Sequence, residues 1–278
     1  MIENKKIKII KIALSEDIGT GDITTQSTVS AKKKGRALVI AKDDFIIAGI
    51  DVFAETFRFL DKNVKVKIFI NDGYRAKKGD VIAEVSGSLS SILKAERVSL
   101  NLFQRMCGIA TLTAKYVGTV HGTSVKILDT RKTVPGLRVL DKMAVRIGGG
   151  CNHRIGLYDG VLIKDNHIEA AGGITSAIEA QRKNLTRAMK IEIETRNIKE
   201  VKEALNCGVD IIMLDNMSIP AMKKAVDFVA GRALLEASGN VSLQNVADIA
   251  AVGVDFISVG ELTHSVRAAD ISLKIKAC

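Results

Sequence analysis

The run from Leu128 to Ile168 concentrates groups able to hold a polyanion. Arg131, Lys132, Arg138, Lys142, Arg146, Arg154 and Lys164 lie there with His153, His167 and a Gly148-Gly149-Gly150 triplet. Asp129, Asp159 and Asp165 are interleaved with them. Cations this dense beside apolar strand-like pieces (Val125–Leu128 and Val161–Ile163) would be costly to bury unpaired. They follow strand-like runs rather than helical charge stripes. The expectation is therefore a pocket for a ligand with several negative charges, not a solvated basic face. Arginine suits planar carboxylates, because its guanidinium donates a rigid two-pronged fork, and lysine suits phosphates as a compact point charge.

Acids complement these bases. Glu194, Asp215 and Glu236 each close a strand-like run. For Glu194 and Asp215 the choice is between a place in the site and a salt bridge with a neighbouring Lys or Arg. Glu192 lies two residues before Glu194 and points the same way off a strand, either to share the site or to pair with a lysine. Arg105 projects from a helical stretch and by position alone reads as a surface cation.

The elements that must position these groups fall into two parts. Ile7 to Leu14 has helical spacing, followed by a polar, Gly-bearing loop. From Gly35 to Gly87 the signal is strands, with turns at Asn71-Asp72-Gly73 and Lys78-Gly79-Asp80; KKGDVIAEVSG reads as an ordinary β-hairpin. Ser90 to Val120 turns helical, with Leu93, Val98, Leu102 and Met106 able to share one face.

After Gly122, apolar runs recur at Val125–Leu128, Val161–Ile163, Ile191–Ile193, Ile211–Leu214, Ala233–Leu235 and Phe256–Val259. Helix-like stretches separate the later ones, which reads as parallel βα units. Each run ends in a polar residue or glycine. In a β/α barrel those ends converge on one mouth, where four acids and several bases would meet. A doubly wound sheet would spread them along a line, and the Gly-rich fingerprint expected after its first strand is missing. About six units rather than eight makes the barrel incomplete.

Composition narrows the partners. The chain has 278 residues and 47% hydrophobic residues, so a large core needs no disulfides. Aromatics are 4% and Trp is absent, so that core is aliphatic. A net charge of +10 fits anionic substrates or nucleic acid, but scarce aromatics remove the stacking platforms of a single-strand binder. Cys107, Cys151, Cys207 and Cys278 are scattered without a CxxC pair, which points to reduced thiols in the cytoplasm. Cys151-Asn152-His153 lacks further soft ligands for a zinc site. The N-terminus has no apolar signal core, and no stretch approaches the ~20 apolar residues of a membrane span.

The segment DTRKTVPGLRVLDKMAVRIGGGCNHRIGLYDGVLIKDNHI resembles the signature of the quinolinate phosphoribosyltransferases, also called nicotinate-nucleotide pyrophosphorylases (carboxylating). ALSEDIGTGDITT, ERVSLNLFQRMCGIAT, KIEIE, IIMLDNM, LLEASGN and ISVGELTHS extend the resemblance along the chain. It implies an α/β protein of two domains: an α+β N-terminal sandwich (1–108, with the tail 267–278 expected to return to it) and an incomplete α/β barrel (109–266). It also implies a homodimer and a reaction of quinolinate with phosphoribosyl pyrophosphate in the presence of Mg²⁺. The products are nicotinate mononucleotide, pyrophosphate and carbon dioxide, a step of de novo NAD biosynthesis.

By the same resemblance, Thr130, Arg131, His153, Arg154 and Lys164 surround quinolinate, and Arg105 reaches the pocket of the other subunit. Lys132 is expected at the donor's phosphates. Glu194 and Asp215 are the carboxylates expected to stabilise the cationic sugar and to hold Mg²⁺ directly or through water. Ser238, Gly239 and Gly260 let backbone N–H groups approach the 5′-phosphate. His264 reads equally as a phosphate contact or a polar residue at a helix start. No covalent nucleophile is expected, and Cys107 and Cys151 read as small packing residues. Two alternatives stay open: a paralogue associated with molybdenum transport, with a different acceptor, and a Schiff-base barrel aldolase using Lys164 or Lys132.

Overall fold

The computed structural model describes residues 2–185 and 189–277; Cys278 lies outside them. The chain forms two compact units, Met1–Ala114 with Thr133–Gly149 and Ser265–Cys278, and Lys115–Lys132 with Gly150–His264. The expected barrel domain 109–266 differs from the second of these. Residues 109–114, 133–149 and 265–266 belong to the first unit instead.

The first unit opens with α1 (Ile2–Ile18) and α2 (Ile23–Thr28), whose start is capped by Asp22 accepting the Thr25 N–H at 2.9 Å. Next come β1 (Lys34–Ala41), β2 (Phe45–Ile46), α3 (Ile50–Leu60), β3 (Lys65–Ile68), β4 (Arg75–Ala76), β5 (Val81–Ser88) and the long α4 (Leu89–Thr119). The C-terminal strand Ile271–Ala277 joins an antiparallel four-stranded sheet in the order C-terminal strand, β1, β5, β3. Alternate residues of β1 (Ala37, Val39, Ala41) are buried, as a one-sided sheet requires. They pack in one core with Phe53, Phe57, Phe103 and Ile92.

Three local expectations for this unit change. Gly35–Gly87 is not all strand, because α3 lies within it. Ile50, Phe53, Ala54 and Phe57 fall at i, i+3, i+4 and i+7 and are all buried, which is helical periodicity. KKGDVIAEVSG is not a hairpin: β4 pairs with β2, whereas β5 pairs with β1 and β3. Finally, α5 (Arg138–Ile147) carries Arg138, Lys142 and Arg146 at steps of four, so these three cations do form a helical stripe. Gly148 follows as its C-cap. The triplet thus ends a helix.

The second unit is built on β6 (Lys126–Leu128), β7 (Val161–Ile163), β8 (Ile191–Thr195), β9 (Ile211–Asp215), β10 (Leu234–Ser238) and β11 (Phe256–Ser258). Between them run α6 (Asp165–Ala171), α7 (Ile174–Asn184), α8 (Ile198–Asn206), α9 (Ile219–Val229) and α10 (Val246–Ala251); α11 (Glu261–His264) follows β11. The sheet is parallel throughout, in the order β6-β11-β10-β9-β8-β7. From β7 to β11 every strand pairs with the next in sequence, and the chain then closes back on β6. A doubly wound sheet would reverse direction at a switch point, and this order has none. The barrel is open between β6 and β7, where Cys151 makes a single parallel bridge to Leu128. All strand C-termini therefore lie at one end of the sheet, as barrel geometry demands. Among the described residues, no helix is long and apolar enough to cross a membrane.

Candidate active site

Strand β8 supplies the first acids. Ile191, Ile193 and Thr195 face one side and are buried; Glu192 and Glu194 face the other. Lys164 follows the neighbouring strand β7, and its Nζ donates to Glu194 Oε1 at 2.6 Å. The Asp165 N–H reaches Glu194 Oε2 at 3.3 Å. The salt bridge weighed against a catalytic role for Glu194 is thus formed, but it lies at the strand ends and Lys164 remains 43% exposed. Glu194 is only 11% exposed, so it is the lysine end of the pair that stays open to a ligand. His167 accepts the Lys164 N–H at 2.9 Å and caps the start of α6.

After β6 the chain is pinned by Asp129, which is fully buried. Its carboxylate accepts from Asn152 Nδ2 at 2.6 Å and from the His153 N–H at 2.8 Å. His153 Nδ1 in turn accepts the Arg154 N–H at 2.8 Å. That nitrogen must carry a lone pair, so Nε2 keeps the hydrogen, and it donates to Glu192 Oε2 at 3.0 Å. Both ring nitrogens of His153 are therefore engaged within the protein. Glu192 pairs with this histidine and not with a lysine.

Arg154 has the character of a ligand-binding cation. Its Nη1 donates to the Gly160 carbonyl at 2.9 Å, while its buried Nε has no hydrogen-bond partner among the described residues. Burial and then the positive charge of Arg131 pull its pKa below the usual guanidinium range; Glu192, Asp159 and Glu194 act in the opposite sense. Arg131, Arg154, Glu192 and Glu194 are thus near enough to feel one another. A buried N–H without an acceptor, in a field that disfavours its own charge, is relieved by an anion.

The phosphate-suited residues gather at the other strand ends. Asp215 ends β9 and lies opposite Ser238, the last residue of β10. Asn216 follows with φ 54°, and its N–H donates to the Ser238 carbonyl at 2.8 Å. A Cβ at Gly239, where φ is +89°, would fall 2.2 Å from Asn216 Oδ1, so glycine is required there. Asn240, with φ 51°, donates to the same Oδ1 at 3.0 Å. At Gly260 a Cβ would meet His264 Nε2 at 3.0 Å and the Lys132 side chain at 3.2 Å, so these three expected phosphate residues do come together. Thr263 Oγ1 donates to the Lys132 carbonyl at 2.8 Å, and Thr130 Oγ1 accepts the Lys132 N–H at 3.0 Å. Asn216 was not singled out from sequence; its cue was an Asn directly after a strand-end Asp, since Asn tolerates left-handed backbone.

Other expected groups lie elsewhere. The dense cations divide between the units: Arg131, Lys132, Arg154 and Lys164 in the second, Arg138, Lys142 and Arg146 in the first. Arg105 belongs to the first, where its Nε and Nη2 grip both oxygens of buried Asp141 at 2.8 Å. Glu236 is not at a strand end. β10 continues two residues past it, and the side chain is 1% exposed. Cys107 is fully buried, its thiol pushed up by desolvation, which suits a packing residue.

Two donor sets could be considered for a metal. His153, Glu192 and Glu236 have ligand atoms within 4.8 Å of one another. The Nε2 hydrogen of His153 removes its lone pair, so this set does not suit an ion. Glu194 and Asp215 offer hard carboxylate oxygens. Asn216 Nδ2 donates to Asp215 Oδ2 at 2.9 Å, and Oδ1 takes no hydrogen bond among the described residues. One or two such carboxylates, with water and phosphate completing the shell, is the donor set Mg²⁺ uses.

Comparison with known proteins agrees with this arrangement. The family model "Quinolinate phosphoribosyl transferase, C-terminal domain" matches residues 109–274, and the corresponding N-terminal domain matches 22–107. The chain is 47% identical over 288 residues to an Arabidopsis thaliana protein named nicotinate-nucleotide pyrophosphorylase (carboxylating), chloroplastic, covering 96% of this chain and 82% of that one. It is 46% identical over 287 residues to a Nicotiana tabacum protein named quinolinate phosphoribosyltransferase (decarboxylating) 2b, mitochondrial, covering 96% and 81%. The crystal structure of nicotinate-nucleotide pyrophosphorylase from Ehrlichia chaffeensis superposes with a TM-score of 0.93 at 46% identity, covering 97% of this chain and 98% of that one. Family models over both parts of the sequence, and a solved relative matching nearly its whole length, leave one assignment for the strand-end cluster: the chain belongs to the quinolinate phosphoribosyltransferase family.

Proposed function

We infer that the protein transfers the phosphoribosyl group of phosphoribosyl pyrophosphate to quinolinate with decarboxylation, forming nicotinate mononucleotide, pyrophosphate and carbon dioxide. The observation that carries the reading, beside family membership, is the buried Arg154 Nε without a partner, next to Arg131 and the Lys164–Glu194 pair. Arg131 and Arg154 provide forks for the two carboxylates of the pyridine diacid, and Lys164 a point charge. The ring nitrogen bonds to the anomeric carbon as the bond to pyrophosphate breaks. Positive charge grows on the sugar, and Glu194 and Asp215 oppose it. The alkylated ring is a pyridinium, so the bond to the 2-carboxylate breaks with its electron pair left on the ring carbon. Carbon dioxide departs and that carbon takes up a proton. The protein's task in this second step is to hold the ring and limit water.

Lys132, Gly260 and His264 suit the donor's phosphates, as do Ser238 and Gly239. Thr130, on the quinolinate side, also fixes the backbone at Lys132 by accepting its N–H. Glu194 and Asp215 would hold Mg²⁺, directly or through water, and bound Mg²⁺ would neutralise pyrophosphate as it leaves. The free thiols of Cys107, Cys151 and Cys207 suit a reducing, cytoplasmic setting.

A turnover assay with quinolinate, nicotinate and nicotinamide as competing acceptors, each with phosphoribosyl pyrophosphate and Mg²⁺, tests the reaction. Carbon dioxide release and nicotinate mononucleotide formation are expected with quinolinate alone. Use of nicotinate alone, or of no acceptor, would overturn the assignment and favour the paralogue with a different acceptor.

In this reading the enzyme is a homodimer, and Arg105, oriented by Asp141, serves the other subunit's pocket. At quinolinate concentrations well below KM, Arg105→Ala and Arg154→Ala proteins should each retain only about 1–10% of wild-type activity, but mixing them after dissociation should restore about a quarter of it. A mixture no more active than its components would refute the shared site.

A further inference from the structure

Beneath the strand ends of the second unit runs a buried polar chain that the reaction as described does not use. Glu236 sits in the middle of β10, flanked in register by the uncharged Met213 of β9 and Phe256 of β11. Its Oε1 accepts from Ser258 Oγ of β11 at 2.6 Å. Its Oε2 lies 3.7 Å from His153 Nε2, the nitrogen that donates to Glu192 Oε2 at 3.0 Å. Glu192 and Glu236 bring carboxylate oxygens within 4.8 Å of each other, so the polar groups run Ser258, Glu236, Glu192, His153 and end on the backbone N–H of Arg154.

Two carboxylates this close and this buried cannot both be charged. As bare acceptors they could only repel. One of Glu192's oxygens, Oε1, is moreover buried without a hydrogen-bond partner among the described residues. A single proton shared between the two side chains removes the repulsion and supplies the missing donor.

We propose that Glu236 is a positioning residue: as the neutral acid it donates to Glu192, which fixes the His153 ring and, through it, the backbone that presents Arg154 to quinolinate. This rests on the quinolinate reading above. Glu236 does not touch substrate; it acts through His153, whose Nε2 meets Glu192 and whose Nδ1 accepts the Arg154 N–H. The proton resides on Glu236 because Glu192 is the carboxylate that accepts the His153 N–H at 3.0 Å, whereas Glu236 lies farther from that donor, at 3.7 Å, and is the more deeply buried of the two; burial, and then the charge of Glu192, push the Glu236 pKa up to about 8, while His153 and the Ser258 hydroxyl oppose the shift. Glu192 of β8 and His153 are the ionisable groups that face it.

The consequence for pH follows from the raised value. The unfolded chain releases this proton near the ordinary glutamate value of 4.5, whereas the native protein keeps it to about 8. Between those values the native state holds a proton that the unfolded state has lost, so stability falls as pH rises through the window and levels off above it. Above pH 8 the native carboxyl itself ionises, Glu192 loses its donor, and Arg154 loses its support.

The test is steady-state kinetics of wild type, Glu236→Gln and Glu236→Ala from pH 6 to 9.5, with thermal melting from pH 4.5 to 9. Glutamine keeps an acceptor for Ser258 and a donor for Glu192 but has no proton to release. Glu236→Gln should hold the wild-type quinolinate KM at pH 7 within about 2-fold and keep it at pH 9, where the wild-type KM has risen ~10-fold. Glu236→Ala should raise that KM about 10- to 30-fold at pH 7, with kcat and the phosphoribosyl pyrophosphate KM changed less than about 3-fold. The wild-type melting temperature should drop relative to Glu236→Gln between pH 4.5 and 8. A glutamine variant as impaired as the alanine variant, or one whose KM follows the wild-type pH profile, overturns the proposal. So does a constant melting difference across the window, a readout that stands even if Glu236→Ala does not fold. Failure of the wild type itself to use quinolinate would sink the substrate reading and the positioning role with it; the melting comparison would then report separately on the shared proton.

Discussion

Replacing Glu194 by alanine is expected to lower kcat about 100- to 1000-fold while changing the quinolinate KM far less. Two effects combine. The carboxylate is the nearest negative group to Lys164, at 2.6 Å, and it also accepts the Asp165 N–H at 3.3 Å. Its removal leaves Lys164 uncompensated at the strand ends, where the proposed reaction develops positive charge on the sugar. Preorganised charge aimed at a developing charge of opposite sign is worth about 10²–10³ in rate. Glu194→Gln separates the two effects. It keeps an acceptor for Lys164 and the N–H but removes the charge, so it should retain little more activity than alanine. Single-turnover measurement of pyrophosphate release isolates the step, and a glutamine variant within about 5-fold of wild type would show that geometry alone suffices. Asp215, at the neighbouring strand end, should behave in the same direction.

Arg154→Ala is expected to do the reverse, weakening quinolinate binding about 10- to 100-fold with a smaller loss in kcat. A hydrogen bond to a charged partner contributes about 1.5–3 kcal/mol, and Arg154 brings a buried Nε with no acceptor among the described residues. Arg154→Lys should recover only part of the loss, because an ammonium keeps the charge but not the fork. Titration calorimetry with quinolinate in the absence of the sugar donor reads the affinity directly. A change below about 3-fold in Arg154→Ala would remove this arginine from the quinolinate contacts. Together the two substitutions should split kcat from KM, which a general loss of structure would not do.

Much of this site was legible before any coordinates. β7, β8 and β9 begin at the residues read from their β-branched runs, because a strand buried on both faces has no other way to be written. Glu194, Asp215 and Lys164 could then be placed at strand ends by counting. α3 was hidden because its apolar residues lie between two strand runs and are rich in Val, Ile and Phe, which strands also favour. α5 was hidden by its own charges: Arg138, Lys142 and Arg146 drew attention as a cationic cluster, although a spacing of four was the clue to a helix. The extent of β10 misled in a different way. Glu236 looked like a strand terminator because a carboxylate is rarely buried, and only the folded sheet supplies its partner, the Ser258 hydroxyl of the adjacent β11.

The sequence by itself determined the family, the βα rhythm and the identity of the charged groups, because residue type and order along the chain are local quantities. Only the tertiary structure decided which charges meet. Asp141 takes Arg105, Glu194 takes Lys164, and the ring of His153 binds Glu192 and the Arg154 backbone. Those pairings join residues 30 to 39 positions apart, apart from the one link between His153 and Arg154. The pairings of Glu192 and Glu194 depend on strand register, where a shift of one residue would turn both to the opposite face.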